Sequence, residues 1–284
     1  MIHRSIADAA VSALAFGTAN LSIDESVSDS EAERTIDAAI DAGIDFLDTA
    51  AAYATATDPM HSERLVGRAV ARHPGLFVAT KGGHTREGAN WGVDGRPESI
   101  RRDCERSLRA LGVDSIDLYY LHKPDPTVPF LDSVGALVDL SRQGKVNRVG
   151  LSNVTVEQVS VARTVIPIAG VQNRFGPLDT SDSETLAFCE REGIAYLPYS
   201  PLGGLSGSGS LASAFPRTDR LALERGISLQ SALLAWLLSL SRSIVPIVGA
   251  RRAASIVDSA RAVELTLDSE LRDAIESDRP AVVP

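Results

Sequence analysis

Residues 77–81 read FVATK, a short run of strand-forming residues that ends in a lysine. It is mostly apolar and does not alternate between polar and apolar positions. That is the pattern of a parallel strand covered on both faces. Working outward, the same kind of run recurs at 13–17 (ALAFG), 45–49 (DFLDT), 116–121 (IDLYYL), 147–151 (NRVGL), 170–174 (GVQNR), 194–199 (IAYLPY) and 244–248 (IVPIV). Longer stretches with helical periodicity separate these runs. Ser30 and Glu33 read as a capping box, with Ile36 and Ile40 on one face and Gly43 at the stop. Pro97 suits the first turn of a helix whose Ile100, Cys104, Leu108 and Leu111 form a stripe. Phe130, Val134, Leu137 and Val138 repeat that pattern before Gly144. Eight strands alternating with about eight helices predict an α/β fold, a (β/α)8 TIM barrel forming a single domain over residues 1–284. A doubly wound sheet is the alternative. Its G-x-G-x-x-G fingerprint is missing after the first strand, where Gly17 is followed by Thr18, Ala19 and Asn20.

Composition narrows the class. At 284 residues and 44% hydrophobic, the chain can bury a full core. No apolar run reaches the roughly 18 residues of a membrane span. Residues 1–15 lack the continuous apolar stretch of a secretory signal. Two cysteines, Cys104 and Cys189, are too few for a disulfide framework or a metal cluster. These features predict a cytoplasmic protein. A net charge of −9 argues against nucleic acid or an anionic membrane as partner. An anionic cofactor would then need local positive groups.

Chemistry in such a barrel belongs at the C-terminal ends of the strands. Those ends carry Asp48, Lys81, His122, Ser152, Asn153, Gln172, Tyr199 and Ser200, with Tyr53 in the loop after the second strand. Asp48 and Lys81, on adjacent strands, are placed for an ion pair. A tyrosine hydroxyl beside that ammonium is expected to have its pKa lowered from about 10, which suits it to exchange a proton with an alkoxide. His122 is placed to orient a carbonyl. Taken singly, each has a plainer role: Asp48 as a loop cap, Tyr53 as a half-buried aromatic, Lys81 as a rim cation, His122 as a core histidine. Their joint placement favours the acid–base set. Lys81 as a Schiff-base lysine is a further alternative.

The stretches FLDTAAAY (46–53), VATKGG (78–83) and YYLHKPDP (119–126) resemble the tetrad motifs of the aldo-keto reductases. GLSNV (150–154), VQNRF (171–175), YSPLGG (199–204) and IVPIVGARR (244–252) resemble the same family's cofactor-binding stretches. The resemblance implies an NADP(H)-dependent oxidoreductase, with NAD(H) also possible, that reduces an aldehyde or ketone. It implies Tyr53 as general acid, Lys81 and Asp48 as the pair that tunes it, and His122 as the residue orienting the carbonyl. Ser152, Asn153 and Gln172 would hold the nicotinamide carboxamide, and Tyr199 would stack on its ring. Ser200, Pro201, Leu202, Gly203 and Gly204 would follow the pyrophosphate. Gly249, Arg251 and Arg252, leading into a helix over 253–263, would meet the 2′-phosphate. Among family members, the motifs look most like bacterial reductases of general aldehydes or pyridoxal. The family includes non-catalytic cofactor-binding sensors and channel subunits, which remain the second reading; monomers are common.

The chain departs from the family pattern in places. Ser255 stands where an Arg or Gln is frequent, and Asp258-Ser259 where Glu-Asn is frequent. Ala54 follows Tyr53 in place of glycine. The short N-terminal segment predicts a reduced version of the hairpin that closes the barrel bottom. The Gly/Ser-rich segment 202–214 is expected to be a mobile loop over the cofactor. In the segment 82–97, Trp91 reads either as an apolar substrate wall or as a pin for its own loop. His84 and Arg86 are candidates to meet an anionic group.

Overall fold

The computed structural model describes residues 1–88, 90–204 and 211–280. Its strands are β1 (His3–Ile6), β2 (Ala9–Ser12), β3 (Ala15–Gly17), β4 (Phe46–Asp48), β5 (Phe77–Gly82), β6 (His84–Glu87), β7 (Asn90–Val93), β8 (Leu118–Leu121), β9 (Val149–Ser152), β10 (Gly170–Gln172), β11 (Ala195–Tyr196) and β12 (Ile247–Gly249). Its helices are α1 (Asp29–Asp41), α2 (His61–Arg72), α3 (Pro97–Leu111), α4 (Phe130–Arg142), α5 (Val156–Ala162), α6 (Ser183–Glu192), α7 (Leu211–Ala214), α8 (Pro216–Glu224), α9 (Leu229–Leu240), α10 (Ala253–Ala260) and α11 (Ser269–Asp278).

Eight strands pair in parallel in the order β11-β10-β9-β8-β5-β4-β3-β12. Parallel bridges Tyr196↔Ile244 and Tyr199↔Ile247 join the two ends of that order. The sheet therefore curls into a (β/α)8 barrel, and each predicted strand lies in it. Every residue of β4, β5, β8, β9 and β10 is buried. The helices present one apolar side to the sheet, as with Ile100, Cys104, Leu108 and Leu111 of α3. The helix expected over 253–263 is regular only from Ala253 to Ala260; Arg261–Val263 tighten into a 3-10 turn. Among the described residues no single helix is long and apolar enough to cross a membrane.

Three features bear on the sequence reading, and the first corrects it. The α1 capping box is Ser28 with Glu31, not Ser30 with Glu33: the Ser28 hydroxyl accepts from the Glu31 amide, and the Glu31 carboxylate accepts from the Ser28 amide. Glu33 instead receives Arg68 Nε at 2.6 Å. The bottom hairpin is present in spite of the short N-terminus. β1 and β2 pair with His3 opposite Ser12 and Ile6 opposite Ala9, and Ile6 and Val11 are fully buried against Phe46, Leu118, Tyr120 and Leu197 inside the barrel. Of the Gly/Ser-rich segment 202–214, residues 205–210 lie outside the described residues, and 211–214 form a turn of helix with Leu211 buried.

Candidate active site

A cavity of about 1050 Å³ opens at the C-terminal ends of the strands. Asp48, Tyr53, His84, Trp91 and His122 line one end, and Ala250, Arg251, Arg252, Ala254, Ser255 and Asp258 line the other. Asp48, Ser152 and Gln172, the last residues of β4, β9 and β10, all reach it because the strands run in the same direction. Lys81, at the penultimate position of β5, is fully buried behind this surface. Its ammonium donates to Asp48 Oδ1 at 2.6 Å and to the Thr49 carbonyl at 2.8 Å. Gln172 Nε2 donates to Asp48 Oδ2 at 2.9 Å, so both carboxylate oxygens are engaged. The Lys81 nitrogen stands 5.2 Å from the centroid of the Tyr53 ring, and the His122 ring stands 5.8 Å from that ring on another side. The sequence-derived tetrad is thus assembled in one place.

The electrostatics correct one expectation. The Tyr53 hydroxyl is not lowered below 10 but raised, because burial outweighs the attraction of the Lys81 ammonium and Asp48 opposes ionisation further. Burial alone would strip Lys81 of its proton, yet Asp48 and Tyr53 hold its pKa above the usual value. Burial, with Lys81 and His84 nearby, pushes His122 well below its ordinary value. The site therefore holds a neutral phenol, a neutral imidazole and a charged ammonium.

The cofactor residues implied by the motifs also line the cavity: Ser152, Asn153, Gln172, Tyr199, Ser200, Pro201, Leu202, Gly204, Gly249, Arg251, Arg252 and Ser255. Gly203 does not. It turns the chain at φ +90°, its amide donating to the Ser200 carbonyl. Asn153 Nδ2 donates to the His122 carbonyl at 3.0 Å, and its Oδ1 accepts the Tyr199 hydroxyl at 2.7 Å. Asn153 and Ser200 hold left-handed φ values of +57° and +50°, strain of a kind that collects at binding sites.

The cavity fits a nicotinamide dinucleotide. At about 1050 Å³ it is larger than most single-ligand pockets. At its far end the N-terminus of α10 is flanked by Arg251 and Arg252. A Cβ on Gly249 would come within 2.9 Å of Asn20 Nδ2, so the Asn20 side chain would have to shift to admit one. The His122 Nδ1 atom is buried without a hydrogen-bond partner.

The substrate end is shaped by the β6–β7 hairpin, which was not legible as a hairpin. Its register sets Arg86 opposite Trp91 and His84 opposite Val93. Trp91 lines the cavity, 47% exposed, its ring edge-on to Tyr53 at 6.5 Å. Trp91 is therefore a wall of the mouth and also packs within its own hairpin, where Arg86 lies over its ring at 5.6 Å. The anion-binding expectation for His84 and Arg86 is not met. His84 packs against His122 at a tilt of 55° with ring centroids 4.3 Å apart, and is pushed down to about 4 by burial and neighbouring lysines, so it is neutral. Arg86 turns away to donate to the Ala54 carbonyl at 2.6 Å. Sequence reasoning missed Asn20, Ile23, Lys123 and Gln230 as lining residues. Asn20 and Lys123 follow barrel strands and were findable by the strand-end rule. Gln230, in the first turn of α9, carried no such signal.

Comparison with known proteins agrees with this geometry. Residues 13–278 match the model of the aldo/keto reductase family. The chain is 35% identical to an uncharacterized oxidoreductase of Schizosaccharomyces pombe, over 80% of this chain and 72% of that one. It is 32% identical to the 6-dehydroglucose reductase of Novosphingobium aromaticivorans, over 90% and 88%. The structure superposes on a glycerol dehydrogenase of Gluconobacter oxydans with a TM-score of 0.83 at 27% identity, covering 97% of this chain and 94% of that one. A closed parallel barrel, a lysine–aspartate pair behind a tyrosine at its mouth and a match over nearly the whole length lead to one conclusion: this chain belongs to the aldo/keto reductase family.

Proposed function

We propose that the protein reduces an aldehyde or ketone to an alcohol, using NADP(H) with NAD(H) also accepted, and that Tyr53 supplies the proton. The observation that carries this reading is the meeting of Tyr53, the Lys81–Asp48 pair and His122 at one end of a dinucleotide-sized cavity. When bound, the reduced nicotinamide supplies the hydride. Ser152, Asn153 and Gln172 hold its carboxamide, and Tyr199 flanks its ring. Ser200, Pro201, Leu202 and Gly204 follow the pyrophosphate. Gly249, Ser255, Arg252 and the start of α10 receive the adenosine end.

At the reacting carbon, neutral His122 donates a hydrogen bond to the carbonyl oxygen. Tyr53 gives its hydroxyl proton to that oxygen as it gains charge, and the Lys81 ammonium stabilises the phenolate left behind. Asp48 keeps Lys81 charged and in position. Trp91 and the mouth of the cavity exclude water from the reacting face. Leu202 and Gly204, at the described start of the 202–214 segment, are assigned to the cofactor side of the same single domain. The protein works as a monomer in the cytoplasm.

The test follows the absorbance of NADPH and NADH with purified protein and a panel of carbonyl compounds. Two relatives are named for glycerol and 6-dehydroglucose, so oxidised polyols and sugars stand in the panel beside simple aldehydes and pyridoxal. Carbonyl-dependent loss of the absorbance is expected. Tight binding of both cofactors with no turnover across the panel would favour a cofactor-binding sensor instead.

A further inference from the structure

Resting on the dinucleotide reading above, the far end of the cavity carries a charge balance that bears on which dinucleotide is held. Arg251 and Arg252 line it, as the motif implies. The Arg251 guanidinium, however, is engaged: it donates to Asp24 Oδ2 at 2.5 Å, reaching across to the loop after β3. Asp24 is fixed in turn by the Ser26 hydroxyl at 2.7 Å and amide at 3.2 Å. It remains ionised, its carboxyl pushed down to about 2 by Ser26 and Arg251. A second carboxylate, Asp258, lines the cavity one helical turn beyond Ser255, and its Oδ2 accepts from the Ser228 hydroxyl at 2.5 Å. Arg252, at the N-cap of α10, is paired with no carboxylate among the described residues.

Two arginines and two carboxylates sum to zero. A 2′-phosphate brings a charge of about −2 at neutral pH and needs net positive surroundings. A plain ribose needs hydrogen-bond acceptors for its hydroxyls, which a carboxylate supplies. We infer that Asp24 and Asp258 set the cofactor preference of this chain, cancelling the arginine pair so that NADH is held nearly as well as NADPH. Asp24 acts by occupying Arg251. Asp258 acts by placing a like charge near the phosphate.

The test is calorimetric binding of NADPH and NADH to the wild-type protein, to Asp24→Asn, to Asp258→Asn and to the double variant Asp24→Asn/Arg251→Ala. None of these residues touches the tetrad. The worth of a surface ion pair sets the expected size, so Asp24→Asn tightens NADPH by about two- to five-fold and leaves NADH unchanged. Asp258→Asn shifts the preference in the same direction. Adding Arg251→Ala removes the gain of Asp24→Asn, because the gain comes from the freed guanidinium. The Asp24→Asn gain shrinks at high salt, as screening requires. The inference is overturned if both single variants leave the ratio of the two dissociation constants unmoved, or if the gain survives loss of Arg251. Failure of the wild-type protein to bind either dinucleotide would instead overturn the proposed function.

Discussion

Tyr53 and His122 are both neutral at physiological pH, and for the same reason: burial disfavours the charged form of each. Their titrations therefore lie on opposite sides of the working range. In the proposed mechanism reduction draws on the Tyr53 phenol, which is present below a pKa raised above 10 and lost only in strongly alkaline solution. His122 is neutral above its lowered pKa, so it does not titrate near the usual value of about 6.5. The expected profile of kcat for reduction is flat from about pH 6 to 8, while the reverse oxidation rises toward alkaline pH as phenolate forms. A half-unit bend near 6.5 abolished by replacing His122 would contradict this. The residues behind that prediction were legible because a barrel concentrates strand ends, and seven short motifs fell in order along the chain. Their protonation was not legible. Spacing revealed the ammonium beside the phenol but not how completely both are buried.

At the scale of elements, buried groups between α2, α3 and β5 matter most. Glu63 of α2 accepts the Thr80 hydroxyl at 2.6 Å through one oxygen, while its other oxygen is buried without a partner. Burial pushes its carboxyl up to about 7. A raised acid binds its proton more tightly folded than unfolded, so its contribution is intact at low pH and is lost as pH rises through 7. Glu63→Gln, neutral at every pH, is expected to raise the melting temperature at pH 8 and to change it little at pH 5. An equal effect at both would refute the assignment. Gly67 of α2 tests packing. A Cβ there would sit 2.7 Å from the Ala110 carbonyl oxygen and 2.8 Å from that of Leu111. Helix propensity favours alanine by about 1 kcal/mol, and overpacking costs about 1–3 kcal/mol. The clash is against backbone that cannot swing away, so Gly67→Ala should destabilise in denaturant titration. The eight barrel strands and the α3 stripe were readable from apolar runs and period. The β6–β7 hairpin was not, because HTRE is polar, NWGV mixes polar and apolar residues without alternation, and none of the eight is buried. The α1 start was misplaced by two residues because Ser28 and Ser30 each stand three before a glutamate, and only the extended backbone of Ser28 chooses between them.

At the scale of the whole molecule, the barrel is closed at its bottom by the N-terminal hairpin and open at its top. Arg4 ties the hairpin down, donating to the carbonyls of Leu238 at 2.6 Å and Ser241 at 2.7 Å, and to that of Ile244. Ile6 then plugs the interior. Ile6→Ala should cost about 2–5 kcal/mol of stability, the range for a large-to-small change in a core, without altering cofactor affinity; a loss under 1 kcal/mol would mean the plug does not bear on the barrel. With the bottom sealed, chemistry is confined to the top, where one cavity joins the tetrad to the start of α10. The most direct test of that account pairs two measurements on the wild-type protein and Tyr53→Phe: carbonyl-dependent turnover and NADPH binding. The account predicts that Phe removes turnover by about three orders of magnitude or more, as loss of a proton donor does, while NADPH binds as before. Turnover that survives the loss of the Tyr53 hydroxyl would contradict it.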